Sequence, residues 1–145
     1  MAFAVRRVIT GHDAEGRSKV LTDGASPAER RWPGSQDAVH WTSKGFPIDN
    51  AVAADVTGER DPDWTDGSVF RTISFDPHDR GEMHRTDSLD YVIVMSGSID
   101  MDLDEGSVHL EAGDVLIQRG TAHRWANPSD EPCVVAFVMI GARPL

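Results

Sequence analysis

Two histidines and one aspartate, His84, Asp90 and His123, have the residue types and spacing of a small reactive site. Two imidazoles and one carboxylate are a ligand set that suits Fe(II), Mn(II) or Zn(II) and leaves positions open for water and substrate. The same side chains can instead form a hydrogen-bonded polar cluster. The residue types predict a divalent-metal site, and they leave the metal-free cluster open as the alternative.

The neighbours of these residues indicate which side chains share the site. Side chains two positions apart on a strand point to the same face, so Thr86 should lie beside His84, and Trp125 beside His123. We expect Trp125 to form the wall of a cavity. Gln118, or the arginine that follows it, is expected to orient a carboxylate or carbonyl group. Thr86, Gln118 and Trp125 are therefore candidate ligand-binding residues.

The second half of the chain contains the strands that must position these residues. Its short segments are β-branched or alternate between apolar and polar residues, and Gly, Asp and Pro turns separate them. Gly106 supplies the positive φ that a tight hairpin turn needs. The pattern is typical of an all-β antiparallel sandwich or barrel. The predicted strands cover residues 68–75, 90–95, 99–103, 108–110, 115–117, 123–127 and 133–140.

Residues 1–67 are expected to pack on residues 68–145 as part of one domain. Strands are predicted near residues 5–10, 20–22 and 38–42. Residues 44–67 are irregular in pattern and contain six acidic side chains. Loops of this length are lids or binding loops, or else are flexible arms, and the sequence leaves both alternatives open.

Composition restricts the classes of partner. The chain has 24 acidic and 14 basic side chains and a net charge of −10. Such a chain repels phosphate backbones and anionic membranes, so we expect no nucleic-acid or membrane partner.

Cys133 is the sole cysteine, which excludes an internal disulfide, and its apolar neighbours predict a buried, inert thiol. The absence of a bilayer-spanning apolar stretch and of a secretory signal predicts a cytoplasmic protein.

Residues 83–97 resemble the first of the two signature motifs of the cupin barrels. His84 stands at the first histidine position, and Asp90 stands at the glutamate position. Six residues separate Asp90 from Gly97, as in that motif. The sequence departs from the family pattern at Thr86, where a second histidine is usual.

Residues 113–127 resemble the second cupin motif. Gly113, Gly120, His123 and Asn127 are all in register with it, and Gln118 replaces a proline. The resemblance implies a small single-domain cupin with a double-stranded β-helix, an antiparallel jelly-roll barrel, at residues 68–145. An irregular amino-terminal arm would precede the barrel.

The cupin resemblance implies a small-molecule function. We expect a metal-dependent enzyme that acts on an oxygenated organic acid, enol or aromatic compound, with His84, Asp90 and His123 as ligands and catalytic groups. Decarboxylation, isomerisation, hydration and dioxygenation all fit such a site. Metal-free cupins such as the sugar epimerases use a histidine as base instead. The alternative function is a metal-free protein that binds or carries a small ligand without turnover.

Uncovered sheet edges predict the oligomeric state. The edges of a small barrel must be covered, and strands 5–10 and 20–22 lie outside the barrel motifs. We therefore expect a homodimer in which these strands pair with, or pack across, a partner sheet.

Overall fold

The computed structural model describes residues 3–51 and 66–145 of the 145-residue chain. Within these ranges the regular elements are β-strands, and no helix there could cross a lipid bilayer. The strands are β1 (Val5–His12), β2 (Ser18–Ser26), β3 (Glu29–Trp32), β4 (Ser35–Lys44), β5 (Gly67–Phe75), β6 (Ser88–Ser96), β7 (Ser98–Leu103), β8 (Ser107–Glu111), β9 (Val115–Arg119), β10 (His123–Ala126) and β11 (Cys133–Gly141).

The described strands form three antiparallel sheets. The large sheet has the order β3-β4-β5-β11-β6-β9, the small sheet has the order β10-β7-β8, and β1 and β2 form a separate hairpin. Strands β5, β11 and β6 are consecutive neighbours although they are distant in sequence. This crossing of connections is typical of a jelly roll rather than of a simple meander.

A single apolar core lies between the large and the small sheet. In the strands that line it, period-2 alternation sends alternate side chains into the core. Val92 and Val94 of β6 are each 1% exposed, whereas their neighbours Tyr91 and Ile93 point outward. The core includes, from the large sheet, Phe75, Val92, Val94, Cys133, Val135 and Phe137, and from the small sheet, Ile99, Met101, Leu110 and Trp125.

The amino-terminal half shares the large sheet with the carboxyl-terminal half. Strand β4 pairs with β5 along its length, with a bulge around His40. The buried His40 ring lies between two hydroxyl groups, 2.9 Å from Ser26 Oγ and 2.7 Å from Thr72 Oγ1. Because Ser26 ends β2, this contact fastens one end of the hairpin to the sheet.

Most of the predicted strands are confirmed. All seven of the second half are present, and Gly106 has a φ of 88° at the predicted hairpin turn. Strands β1 and β2 extend beyond the short segments predicted for them, and β3 was missed. Of the irregular segment 44–67, residues 52–65 lie outside the described residues, so the choice between a lid and an arm stays open there.

Candidate functional site

His84 and His123 lie side by side at one end of the core. Each donates its backbone N–H to the carbonyl oxygen of the other at 2.9 Å, which forms an isolated antiparallel bridge. Directly opposed residues of such a bridge project to the same side. The two imidazole rings accordingly lie with their centroids 4.5 Å apart. The predicted convergence of the two histidines is confirmed.

Backbone hydrogen bonds define the tautomer of both rings. His84 Nδ1 lies 2.9 Å from the carbonyl oxygen of Glu82, and His123 Nδ1 lies 2.9 Å from that of Thr121. A carbonyl oxygen can only accept, so each Nδ1 carries the hydrogen. In the neutral ring, the lone pair therefore resides on Nε2. Both histidines present a nitrogen that can accept a proton or ligate a cation.

Asp90 is inside the same end of the core but is already hydrogen-bonded. Its side chain points inward from β6, and the residue is 3% exposed. Ser88 Oγ donates to Asp90 Oδ1 at 2.6 Å, and Gln118 Nε2 donates to Oδ2 at 3.0 Å. Thr86 Oγ1 extends this network, because it lies 2.8 Å from Ser88 Oγ. Both carboxylate oxygens thus have protein donors.

Gln118 connects Asp90 with His123. Its Oε1 accepts from the backbone N–H of Thr121 at 2.7 Å and from Thr121 Oγ1 at 3.0 Å. The carbonyl oxygen of Thr121 in turn accepts from His123 Nδ1. The turn that makes these contacts possible contains Gly120, whose φ is 62°. The carboxylate and the imidazole are therefore held by one continuous chain of hydrogen bonds.

Burial sets the protonation of the two innermost groups. Desolvation lowers the pKa of His123 most strongly, and the hydrogen bond to the Thr121 carbonyl oxygen opposes it. Weaker effects come from His84, which lowers the pKa, and from Asp90, which raises it. Desolvation raises the pKa of Asp90 because a buried carboxylate loses hydration, although its two donors and the two histidines oppose this. The environment therefore favours a neutral His123 at neutral pH.

Trp125 closes the inner side of the site. Its ring meets that of His123 edge to face at 5.9 Å and also packs on Phe75 and Phe137. Trp125 is 7% exposed, whereas His84 belongs to the exposed surface. The site is thus open to solvent on the His84 side and apolar behind His123, where Trp125 belongs to the core.

A comparison with protein families finds a match at residues 71–140 to the cupin domain. The matched range contains His84, Asp90 and His123. One relative, the phomopsin biosynthesis cluster protein C′ of Diaporthe leptostromiformis, is 34% identical, over 96% of this chain and 79% of its own length. The chain belongs to the cupin family.

Two further comparisons extend this cupin assignment. The cupin-domain-containing oxidoreductase virC of Hypocrea virens is 32% identical, over 96% of this chain and 77% of its own length. An RmlC-like cupin from Shewanella frigidimarina superimposes with a TM-score of 0.55 at 15% identity, over 81% of this chain and 86% of that one. The structural likeness bears on the fold alone and confirms the predicted jelly-roll class.

The donor set of this cupin fits a metal only in part. Within residues 3–51 and 66–145, no three His, Cys, Asp or Glu side chains form a group that could hold a metal ion. The two imidazole Nε2 atoms are suitable donors, but both oxygens of Asp90 are engaged by Ser88 and Gln118. The structure therefore brings the three predicted ligands to one end of the core without assembling them into a three-donor set.

Sequence reasoning missed two members of the site. Ser88 lies two residues before Asp90 on the same inward face of β6, a spacing that could have identified it. No comparable spacing identifies Thr121, because its contact with Gln118 depends on the turn at Gly120.

A separate cavity of about 220 Å³ also touches Ser88. That cavity does not contact the imidazoles; it is lined by Asp87, Ser88, Leu89, Arg119, Gly120, Ala142, Arg143 and Leu145.

Proposed function

We propose that this cupin is an enzyme of small-molecule biosynthesis that transfers a proton on an oxygenated organic substrate. The observation that carries the proposal is the pair of imidazoles whose Nδ1 hydrogens are bound to carbonyl oxygens, so that Nε2 is the reactive nitrogen. The names of the fungal relatives, a biosynthesis cluster protein and an oxidoreductase, support a metabolic role.

In the proposed step, His123 is the base. Its lowered pKa keeps the ring neutral, and a neutral imidazole can take a proton from a carbon beside a carbonyl group. The C–H bond breaks, a bond forms between the hydrogen and Nε2, and the electron pair moves to the carbonyl oxygen to give an enolate. His84, on the exposed side, supplies a proton to that oxygen when its ring is protonated at Nε2, and it then recovers a proton from solvent. Isomerisation follows when His123 returns its proton to a different carbon. In a decarboxylation the enolate forms instead by loss of CO₂, and a protonated histidine supplies the proton to carbon.

Asp90 and Gln118 act as positioning residues in this scheme. Asp90 holds Gln118, Gln118 holds Thr121, and the Thr121 carbonyl oxygen holds the His123 ring. The apolar side of the site at Trp125 excludes water behind the base. This arrangement keeps the Nε2 lone pair aimed at the substrate without requiring reorganisation when the proton moves.

Hydrogen–deuterium exchange tests the proposal without knowledge of the natural substrate. The protein is incubated in D₂O with small carbonyl probes, namely acetylacetone, pyruvate and hydroxyacetone, and loss of the α-hydrogen signal is followed by NMR. We expect protein-dependent exchange of at least one probe. His123→Ala should slow it about 100-fold or more, as expected for loss of a general base.

His109→Ala is the matched control. His109 is an exposed histidine of β8 whose Nδ1 contacts Asp100, on the small sheet and outside the site. Exchange should be unchanged in that variant. Exchange that persists in His123→Ala, or that His109→Ala reduces equally, would refute the assignment of His123 as the base.

A divalent metal held by the two histidines is the second candidate. It is favoured by the two Nδ1–H···O=C bonds, which are the usual outer-shell support of metal-ligating imidazoles. Such an ion, whether iron, manganese or zinc, would act as a Lewis acid on a substrate oxygen. Elemental analysis of protein purified without chelators tests this candidate. His84→Ala and His123→Ala should both lose the ion, whereas Asp90→Asn should keep it because its carboxylate is engaged elsewhere.

A further inference from the structure

The cavity of about 220 Å³ beside Ser88 contains charged groups that the imidazole site does not use. We call it the arginine cavity, because Arg119 and Arg143 both line it. Arg119 ends β9 and pairs with Leu89 of β6. On the other side of β6, Gly141 at the end of β11 pairs with Ser88, and Arg143 follows two residues later. The start of β6 therefore has one arginine on either side.

Neither of these arginines has a partner within the part of the chain that the structure describes. No hydrogen bond or ion pair engages either guanidinium group there. Other arginines of this acidic chain do form ion pairs with aspartate, namely Arg6, Arg17, Arg30, Arg71, Arg80 and Arg124. Two guanidinium groups at one cavity repel each other unless an anion lies between them. The pair therefore indicates an anionic ligand.

The size of the cavity allows one small anion to interact with both charges. A volume of about 220 Å³ is roughly 7 Å across, which is shorter than the Debye length of about 8 Å at physiological ionic strength. Salt therefore screens neither charge fully from an anion inside. A guanidinium group also presents its N–H donors in a planar fork that matches a carboxylate. Charge and geometry together favour a carboxylate as the anionic group.

Asp87 restricts which carboxylate compound fits. Its side chain also lines the cavity and has no hydrogen-bond partner among the described residues. A carboxylate accepts hydrogen bonds, so the ligand must offer Asp87 a donor. With the two arginines, Asp87 leaves one net positive charge. A ligand with one carboxylate and a neutral hydroxyl donor balances that charge, whereas an ammonium donor would leave it uncompensated and a phosphate dianion would exceed it.

The rest of the lining includes apolar side chains. Leu89 is half-buried and lies on the opposite face of β6 from the inward Asp90, and Ala142 lies beside it. These contacts suit an apolar group on the ligand. We propose that the arginine cavity is a second ligand site, which binds a small hydroxycarboxylate with an apolar or aromatic body. This site is separate from the imidazoles, so the proposal goes beyond the proton-transfer function.

A titration of the isotope-labelled full chain with mandelate, a hydroxycarboxylate with a phenyl ring, tests the proposal by NMR. For a ligand of about 11 non-hydrogen atoms we expect a dissociation constant of about 1 mM or lower. The amide signals of Leu89, Gly120 and Ala142 should shift, because all three residues line the cavity. That of Val108, on the small sheet, should not.

Two independent variants remove the charges. Arg119→Met and Arg143→Met should each raise the dissociation constant of mandelate about 5-fold or more. Arg85→Met is the matched control, because Arg85 is an exposed arginine that does not line the cavity. It should change the constant by about 2-fold at most. His123→Ala should bind mandelate like the wild type, which keeps this test separate from that of the proposed base.

Two further probes test the ligand class. Phenylacetate, which lacks the hydroxyl group, should bind about 5-fold more weakly than mandelate, and mandelamide, which lacks the charge, should bind more weakly still. Asp87→Ala should abolish the preference for mandelate over phenylacetate, because it removes the acceptor of the hydroxyl group.

Circular dichroism checks that each variant is folded, and either arginine variant is decisive if the other fails to fold. An absence of shifts at Leu89, Gly120 and Ala142 would overturn the proposal. So would binding that Arg85→Met weakens as much as the cavity variants do, or inorganic phosphate that binds more tightly than mandelate. Shifts that disappear in His123→Ala would assign mandelate to the imidazole site and would equally overturn it.

Discussion

Gln118 is the residue whose loss should be most costly among the polar side chains of the site. It is 1% exposed and makes three hydrogen bonds, to Asp90 Oδ2 and to two groups of Thr121. Gln118→Met keeps the length of the side chain and removes all three. Asp90 would then hold a buried carboxylate oxygen without that donor, at a cost of about 1.5–3 kcal/mol. Thr121 is exposed, so water can replace most of the hydrogen bonds that it loses. We therefore expect Gln118→Met to lower the free energy of unfolding by about 2–4 kcal/mol in total.

Urea denaturation at pH 7, followed by circular dichroism, measures this change in the free energy of unfolding. Gln36→Met is the control, because Gln36 is a half-buried glutamine of β4, three strands away from β6 in the same sheet. It should change the free energy by less than about 0.5 kcal/mol. A Gln118→Met cost as small as that of the control would show that the Asp90–Gln118–Thr121 chain contributes little to stability.

Three further predictions concern titration, reactivity and a buried ion pair. Burial raises the folded-state pKa of Asp90 above its ordinary 3.8, so the folded protein binds this proton more tightly than the unfolded chain. Relative to Asp90→Asn, the unfolding free energy of the wild type should therefore fall as pH rises from 3.8 through the folded pKa; a flat difference between urea titrations would contradict this. Burial raises the pKa of Cys133 to about 11, so iodoacetamide at pH 8 should label the native thiol at least about 100-fold more slowly than the urea-unfolded one. Equal labelling rates would show that the thiol is accessible. Arg71→Met should cost about 3–5 kcal/mol, because it removes the guanidinium group that pairs with the carboxylate of Asp37, whose side chain is 1% exposed. The double variant Asp37→Asn/Arg71→Met should recover part of that cost in the same denaturation assay, and no recovery would contradict the ion-pair explanation.

The alternation of side chains along strands predicted a good part of the site. It placed Trp125 beside His123, and the two rings are in contact. Period-2 patterns are local, so a sequence contains them in full. The cupin resemblance added the convergence of His84 with His123, which no local pattern contains because 39 positions separate them.

The hydrogen bonding of Asp90 could not be predicted in the same way. It depends on the register of β6 against β9, which pairs Asp90 with Gln118 across 28 positions. A register shift of one residue would have turned Gln118 outward and left the carboxylate available to a cation. The sequence expectation of a three-ligand metal site assumed the latter arrangement. In the structure, this register instead gives both oxygens of Asp90 protein donors, and the metal site stays a prediction.

Strand β9 supports the proposed base from the edge of the large sheet. Its inward residue Gln118 holds Asp90 and, through Thr121, the ring of His123. Its outward residues Val115 and Ile117 are 68% and 56% exposed. An edge strand with one neighbour is the most easily displaced strand of a sheet, and displacement of β9 would release Gln118 from the carboxylate. Substitutions that weaken the pairing of β9 with β6 should therefore also loosen the hydrogen bonds that orient the proposed base.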